Sequence, residues 1–174
     1  TFKEGDIVRK TPLTSTIAQN FFIANYLSTM AIDHDDGSGW YNVFSNVVLY
    51  GRSGAKQDFG GHDLHHRGNL YAFISRACYI DYGGGTTVVQ HRNSFEDNIC
   101  IQGVAGVPLF AVQCKKLESA ALFRRNALYS VTSAASVCGM PYNVWQEVSN
   151  DTSIAYTGLP DNKKILAWAR ERLM

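Results

Sequence analysis

SNVVLYG, residues 45–51, places one asparagine directly before a short apolar run, and this pattern recurs at four other places along the chain. The recurring asparagines are Asn20, Asn46, Asn69, Asn98 and Asn126, at successive steps of 26, 23, 29 and 28 along the numbering. Steps of this length suit the coils of a solenoid, because one strand-turn-strand unit cannot bury its apolar face until neighbouring coils stack on it. Leucine-rich repeats have similar steps, but their asparagine follows the leucines, so we reject that fold.

The residues around each asparagine predict which strand positions face the core. Alternate residues of a strand share a face, so we expect the apolar residues one and three places after each asparagine to point inward. They are Phe21, Val47, Leu70, Ile99 and Ala127, followed by Ile23, Leu49, Ala72, Ile101 and Tyr129. A column three residues before each asparagine is also predicted to face inward: Ile17, Val43, His66, Phe95 and Phe123. The asparagines themselves are predicted to form a structural ladder of amide hydrogen bonds.

The whole chain, residues 1–174, is predicted to be one all-β domain, since its length suits a single core. We expect the coils at about residues 14–145 and a C-terminal cap segment at about 146–174. Within that segment, apolar residues recur at helical intervals after Asp161, a plausible N-cap. Thr1 to Pro12 shows no cap, so we expect the C-terminal part of a longer chain, whose uncapped N-terminal end is free for self-assembly or for a partner chain.

The coils, together with DHDDGS at 33–38, KQDFGGHD at 56–63 and LPDNKKILAWARERL at 159–173, resemble right-handed parallel β-helix proteins of the pectate-lyase-like superfamily. Within it they look most like the extracellular right-handed β-helix domain proteins. The resemblance implies a right-handed parallel β-helix of about five coils, with a C-terminal helix packed on or near the last coil. It also implies an extracellular carbohydrate-binding or carbohydrate-active protein, similar to polysaccharide lyases, hydrolases or epimerases. Because this architecture carries many activities, a noncatalytic structural module of a cell-surface or filamentous assembly is the alternative.

Charge and cysteine content narrow the class of protein. A net charge of +1 gives no basis for binding nucleic acid, and no apolar run approaches the about 20 residues that span a bilayer. Asn150 begins the glycosylation sequon Asn150-Asp151-Thr152. The four cysteines lack zinc-site spacing, and with the sequon they favour one or two disulfides in an extracellular or secreted chain, buried free thiols being the alternative. They are Cys78, Cys100, Cys114 and Cys138.

The step of 23 residues from Asn46 to Asn69 can be subtracted from and added to the positions of Lys56 and Asp58, which predicts the residues that stack on them in the neighbouring coils. The predicted columns are Asp33, Lys56 and Tyr79, and beside them Asp35, Asp58 and Asp81. Carboxylates about 4.8 Å apart repel by about 3 kcal/mol per pair at the dielectric of a protein surface, so a compensating cation is expected. Lys56 supplies part of that charge, and Ca²⁺ held by Asp35, Asp58 and Asp81 could supply the rest. The longer next coil is predicted to place its extra residues in GGGTT, 83–87.

The resemblance implies that Lys56 is a catalytic base, which abstracts a proton next to a uronate carboxyl group. Without such a base, Asp35 and Asp58 would suit glycoside hydrolysis as acid and partner. Ordinary turn chemistry and outward polarity remain the alternative for all of these residues.

Several neighbours are predicted to line a sugar site. Asp33 shares the acidic face, and Trp40 beside the acidic turn could stack on a sugar ring. His62 and Asp63 follow a Gly-Gly turn near the same coil. The H-x-x-H-H spacing that begins at His62 could also ligate zinc or copper, but its last histidine falls in an inward column, so we favour the lining role.

Overall fold

The structure, a computed structural model, describes residues 13–82, 91–112, 121–132 and 136–174. They form a parallel β-solenoid of about five coils, as predicted. Sheet A contains β1 (Ser15–Ala18), β4 (Gly39–Phe44), β7 (His62–Arg67), β10 (Ser94–Glu96) and β13 (Leu122–Arg124). Sheet B contains β2 (Phe21–Ile23), β5 (Val47–Leu49), β8 (Leu70–Ile74), β11 (Ile99–Gln102), β14 (Ala127–Ser130) and β17 (Ile154–Thr157). Sheet C contains β3 (Ile32–His34), β6 (Ala55–Gln57), β9 (Tyr79–Asp81) and β12 (Phe110–Val112).

The last part of the chain adds an antiparallel pair and two helices. The pair is β15 (Ser136–Val137) with β16 (Met140–Pro141), and the helices are α1 (Tyr142–Ser149) and α2 (Asn162–Leu173). Asp161 caps α2, as predicted, by accepting a hydrogen bond from the backbone N–H of Lys164 at 3.0 Å. Neither helix has the length and apolar character needed to cross a bilayer, which holds for the described residues.

The five repeated asparagines stack at the turn between sheets A and B. The side-chain oxygen of Asn69 accepts from the backbone N–H and the side-chain amide of Asn46, both at 3.0 Å. The other rungs repeat this pattern, and Asn126 donates in the same way to Ser153 Oγ, a terminal rung that the repeat pattern missed. The residue before each asparagine, such as Ser45 with φ 54°, adopts the left-handed backbone, whereas the asparagines satisfy buried amides.

The predicted facing of sheet B is wrong. Val48, Tyr71, Cys100 and Leu128 point into the solenoid core, whereas the columns that begin at Phe21 and Ile23 point outward. That outer face packs against Ile165 and Trp168 of α2. The strands therefore carry apolar residues on both faces, and period-two alternation could not distinguish core from helix-covered surface.

The two helices cover different parts of the solenoid. Trp145 of α1 joins the interior cluster beside Phe123 of β13. Its indole N–H donates to the buried carboxylate of Asp151 at 3.2 Å, so α1 is anchored over the end of the core. Helix α2 touches the last coil through Trp168 and Tyr129, whose ring centroids lie 5.8 Å apart, and also contacts β8 and β5. The C-terminal helix thus packs along the side of several coils as well as on the last one.

A disulfide joins Cys78 and Cys100 inside the core, with their Cα atoms 6.2 Å apart. Cys138 is disulfide-bonded as well, and Cys114 lies outside the described residues. So do the predicted insertion at 83–87 and the stretch from Thr1 to Pro12. A bridge between neighbouring coils stabilises the fold by about 3 kcal/mol and is typical of oxidising compartments.

Two histidines are buried in the core. His34 and His66 lie with ring centroids 5.2 Å apart, and each Nε2 lacks a hydrogen-bond partner. The Nδ1 atom of His66 lies 3.2 Å from the hydroxyl oxygen of Tyr71. Burial lowers the pKa of His34 to about 4, against a smaller opposing effect of Asp33, and lowers the pKa of His66 well below its usual value. Both imidazoles are therefore neutral in the folded protein at pH 7.

Candidate functional site

The strand register separates Asp81 from the other acidic residues. Asp33 pairs with Lys56 as predicted, but the next step is one position longer, so Lys56 pairs with Ile80 and Gln57 with Asp81. A slip of one residue moves a side chain to the other face of the sheet. Asp81 is consequently buried, and its carboxylate accepts a hydrogen bond from the Gln57 amide. The predicted column of Asp35, Asp58 and Asp81, and the calcium ligand set built on it, are corrected by this register.

Lys56, on the inner strand β6 of sheet C, lies among three carboxylates. Its Nζ is 2.8 Å from Asp33, 2.6 Å from Asp35 and 2.8 Å from Asp58. The Lys56 and Asp58 side chains are only 9% and 4% exposed, whereas those of Asp33 and Asp35 reach solvent at 41% and 64%. Asp58 also accepts a hydrogen bond from the backbone N–H of Asp36 at 2.9 Å. The cluster therefore joins the ends of β3 and β6 through one ammonium that three carboxylates share.

These contacts keep Lys56 protonated. Burial alone would lower the pKa of Lys56, but the hydrogen bonds to Asp33, Asp35 and Asp58 together raise it above its usual range. The hydrogen bond from Lys56 in turn lowers the pKa of Asp35. A general base must be unprotonated near neutral pH, so the observed arrangement opposes that role for Lys56. The ammonium supplies part of the compensating charge for which calcium was invoked, as predicted. Oxygen atoms of Asp35, Asp36 and Asp58 lie within 4.8 Å of one another, and calcium binding by Asp35 and Asp58 stays a prediction.

A second cluster lies where the chain enters sheet A. His62 Nδ1 is 2.9 Å from Asp63 Oδ2, and His91 Nδ1 contacts the same carboxylate oxygen. Trp40 packs edge-on against both imidazoles, with ring centroids 5.5 Å from His62 and 5.2 Å from His91. Three of these residues were predicted to line a site, and His91 was missed because the longer coil before it hides its register. His65 and His66 of the H-x-x-H-H spacing lie elsewhere, on the outer face and in the core.

The backbone around this cluster is unusual. Trp40 and Asp63 adopt φ values of 65° and 51°, which are uncommon for residues other than glycine and for Trp in particular. A Cβ built on Gly39 would stand 2.7 Å from Cε1 of His62, so the imidazole occupies space that only glycine leaves. Trp40 and Asp63 occupy equivalent positions of the paired strands β4 and β7, so this left-handed backbone repeats from one coil to the next and helps to bring Trp40 against His62.

The outer face of sheet A carries a groove of about 420 Å³ that crosses three coils. It is lined by Asn42, Phe44, His65, Arg67, Ser94 and Glu96. These residues stand four and two places before Asn46, Asn69 and Asn98. Five of these six residues are polar, and that repeated polarity is the sequence signal from which a polar groove could have been predicted. His65 Nδ1 lies 3.1 Å from Ser94 Oγ, so polar contacts link adjacent coils within the groove.

The predicted glycosylation residue is accessible. Asn150 is exposed and forms the left-handed C-cap of α1 with φ 57°. Its neighbour Asp151 is buried and accepts a hydrogen bond from the Tyr142 hydroxyl at 2.9 Å. Glycan attachment at Asn150 stays a prediction.

Comparison of the chain with protein-family models, curated proteins and solved structures finds no match. The described fold is a parallel β-solenoid, and the resemblance to the pectate-lyase-like superfamily rests on the coil pattern and on the quoted sequence segments. Any function must accordingly be argued from the geometry of the sites themselves.

Proposed function

We propose that this protein is an extracellular polysaccharide-binding β-solenoid, whose ligand lies along the groove on the outer face of sheet A. The observation that carries the proposal is that groove, in which six side chains from three successive coils line about 420 Å³. Parallel strands repeat about every 4.8 Å, a spacing close to the length of one sugar unit in an extended chain. A polysaccharide that crosses the strands would therefore meet an equivalent pair of side chains at each coil.

The groove lining suits a sugar ligand chemically. The Asn42 amide, the Ser94 hydroxyl and the His65 imidazole offer hydrogen-bond donors and acceptors for sugar hydroxyl groups. Phe44 offers an apolar ring face, and Arg67 offers a guanidinium that favours a carboxylated sugar. Glu96, the carboxylate of the lining, is already paired with Arg125 at 3.0 Å, so we expect Arg67 to make an acidic polysaccharide the preferred ligand class.

The position of the groove moves the proposed sugar site away from sheet C. There the outward column continues from Lys56 to Ile80, which packs with Met30 and Ala77 in an apolar cluster. Lys56 is enclosed by carboxylates, so the proposal is one of binding and assigns no elimination or hydrolysis step to it. The disulfide between Cys78 and Cys100 supports the extracellular part of the proposal.

Binding can be measured against soluble uronate-containing and neutral polysaccharides by calorimetry and affinity electrophoresis. We expect an acidic polysaccharide to bind and Arg67→Ala and His65→Ala each to weaken it about tenfold, the effect of one lost charged or polar contact. Arg76→Ala, which removes an exposed arginine outside the groove, is the matched control and should bind as the unmodified protein does. Equal affinities of Arg67→Ala and the control, or no binding to any polysaccharide of the panel, would refute the proposal.

A second function, as a structural assembly module, is favoured by the first coil. Phe21 and Ile23 are 51% and 56% exposed, because α2 covers this outer face of sheet B further along. Within the described residues, β1, β2 and β3 are also terminal strands of their sheets, and unpaired strand edges can pair with another chain. Light scattering over a concentration series tests this: self-association that Phe21→Asp abolishes would support assembly, and a monomer at every concentration would refute it.

A further inference from the structure

We propose that His62, Asp63 and His91 form a binding site for a divalent transition metal ion of the zinc class. The three side chains come from two neighbouring coils, and one ligand atom of each lies within 4.8 Å of the other two. Two imidazole nitrogens and one carboxylate oxygen are a donor set that suits zinc and related ions, whereas calcium prefers oxygen ligands alone. The site is separate from the sugar-binding proposal, because metal binding can be measured without any glycan.

The orientation of the side chains supports a common ligand. Both histidines direct Nδ1 at the same oxygen, Asp63 Oδ2, rather than at separate acceptors. The His62 and His91 ring centroids are 5.2 Å apart, so both Nδ1 atoms approach one point from different directions. Zinc bonds to nitrogen and carboxylate oxygen are about 2.0 to 2.2 Å long, so modest side-chain rotation would let an ion replace the direct contacts.

The surroundings hold these ligands in place. Trp40 meets the two imidazole rings at interplanar angles of 87° and 83°, which limits rotation of both. The missing side chain of Gly39 makes room for the His62 ring, and Asp63 keeps a left-handed backbone between its neighbours in β7. A site that is held rigidly before binding loses less conformational freedom when the ion arrives.

The three proposed ligands are also largely buried. The His62 side chain is only 8% exposed, and those of Asp63 and His91 are 16% and 22% exposed. Three protein ligands would leave a fourth tetrahedral position for water or for an oxygen of a bound molecule, which is the usual form of an open zinc site. The acidic cluster at Lys56 offers no comparable open position, because an ammonium group already stands within 2.8 Å of its carboxylates.

Calorimetry with Zn²⁺ on the full chain, and the visible spectrum with Co²⁺, test the proposal. We expect one ion per chain, and at least a tenfold loss of affinity in Asp63→Asn and in His91→Phe. His65→Phe is the matched control, since His65 is an exposed histidine of the same strand as His62 and its loss should leave the affinity unchanged. Ca²⁺ should not compete with Zn²⁺ at this site.

The result that would overturn the proposal is absence of stoichiometric Zn²⁺ binding, or an equal loss of affinity in His65→Phe and His91→Phe. A direct measurement covers the case in which a variant does not fold. Crystals of the unmodified protein soaked with Zn²⁺ should show an anomalous peak about 2.1 Å from the Nδ1 atoms of His62 and His91. A peak elsewhere, or none, would equally reject the site.

Discussion

Acid should destabilise this solenoid before its carboxylates are protonated, because His34 is buried as a neutral imidazole. Its pKa falls from 6.5 in the unfolded chain to about 4 in the folded protein. Between these values the unfolded chain binds the proton and the folded chain does not, so the free energy of unfolding decreases as the pH falls. The contribution of His34 is fully present above pH 6.5 and is lost at about pH 4.

The size of this effect follows from the change in pKa. A change from 6.5 to about 4 corresponds to about 3 kcal/mol, since each pKa unit is worth about 1.4 kcal/mol. His66, which lies beside His34, changes stability in the same direction because burial also lowers its pKa. Domains are commonly stable by only about 5–15 kcal/mol, so a large part of the stability should be lost within this range of pH.

Urea unfolding at several pH values from 7.5 to about 4, followed by circular dichroism, measures this loss. In His34→Phe the aromatic ring is kept but no proton can bind, so we expect about 3 kcal/mol less destabilisation on acidification. His65→Gln, which replaces an exposed histidine, is the control and should follow the unmodified protein. If His34→Phe and the unmodified protein lose stability in parallel, the buried imidazole is not the cause.

Two further predictions concern buried polar contacts. Lys56→Met should cost about 3–5 kcal/mol by chemical denaturation, because it leaves the buried Asp58 carboxylate without its ammonium partner, whereas Lys163→Met on the exposed surface of α2 should cost little. A cost below about 1 kcal/mol would contradict the ion-pair argument. Asn69→Ala should lower the unfolding free energy by about 3 kcal/mol or more, because its neighbours in the ladder keep unpaired amide and carbonyl groups. Asn162→Ala, which changes an exposed asparagine of α2, is the control. Equal losses in the two variants would refute the role of the ladder.

The repeated asparagine predicted the coils because its role is the same in each one. Every Asn side chain must meet its equivalent in the next coil, so the step between asparagines directly gives the strand pairing of sheets A and B. The facing of sheet B could not be predicted in the same way. Val47 and Val48 are both fully buried, one under α2 and one in the core, and nothing within a single apolar strand distinguishes these two environments.

The register of sheet C could not be predicted from the sequence for a different reason. The step between β3 and β6 equals the step from Asn46 to Asn69, but the step between β6 and β9 is one position longer, which moves Asp81 from the outer face to the inner one. Coils of a solenoid tolerate an extra residue in a turn, and the asparagine ladder does not record it because the turn lies on another side of the coil. The predicted strand pairing is therefore accurate near the repeated asparagines and loses accuracy with distance from them.

The most prominent acidic motif of the sequence and the proposed metal site are different parts of the molecule. The run of acidic residues around Asp35 is conspicuous in the sequence, yet once the coils stack, Lys56 stands among Asp33, Asp35 and Asp58 and offsets part of the repulsion between these carboxylates. His62, Asp63 and His91 form no motif, since His91 lies a whole coil further along the chain than Asp63, but stacking of the two coils brings their ligand atoms within 4.8 Å of one another. Trp40 and Asp63 occupy equivalent positions of the paired strands β4 and β7, and both have left-handed backbones, so the repeat itself shapes this corner of the coil. His91 joins them only because the next coil stacks there, and a stacked fold can thus build a site from residues that no sequence motif links.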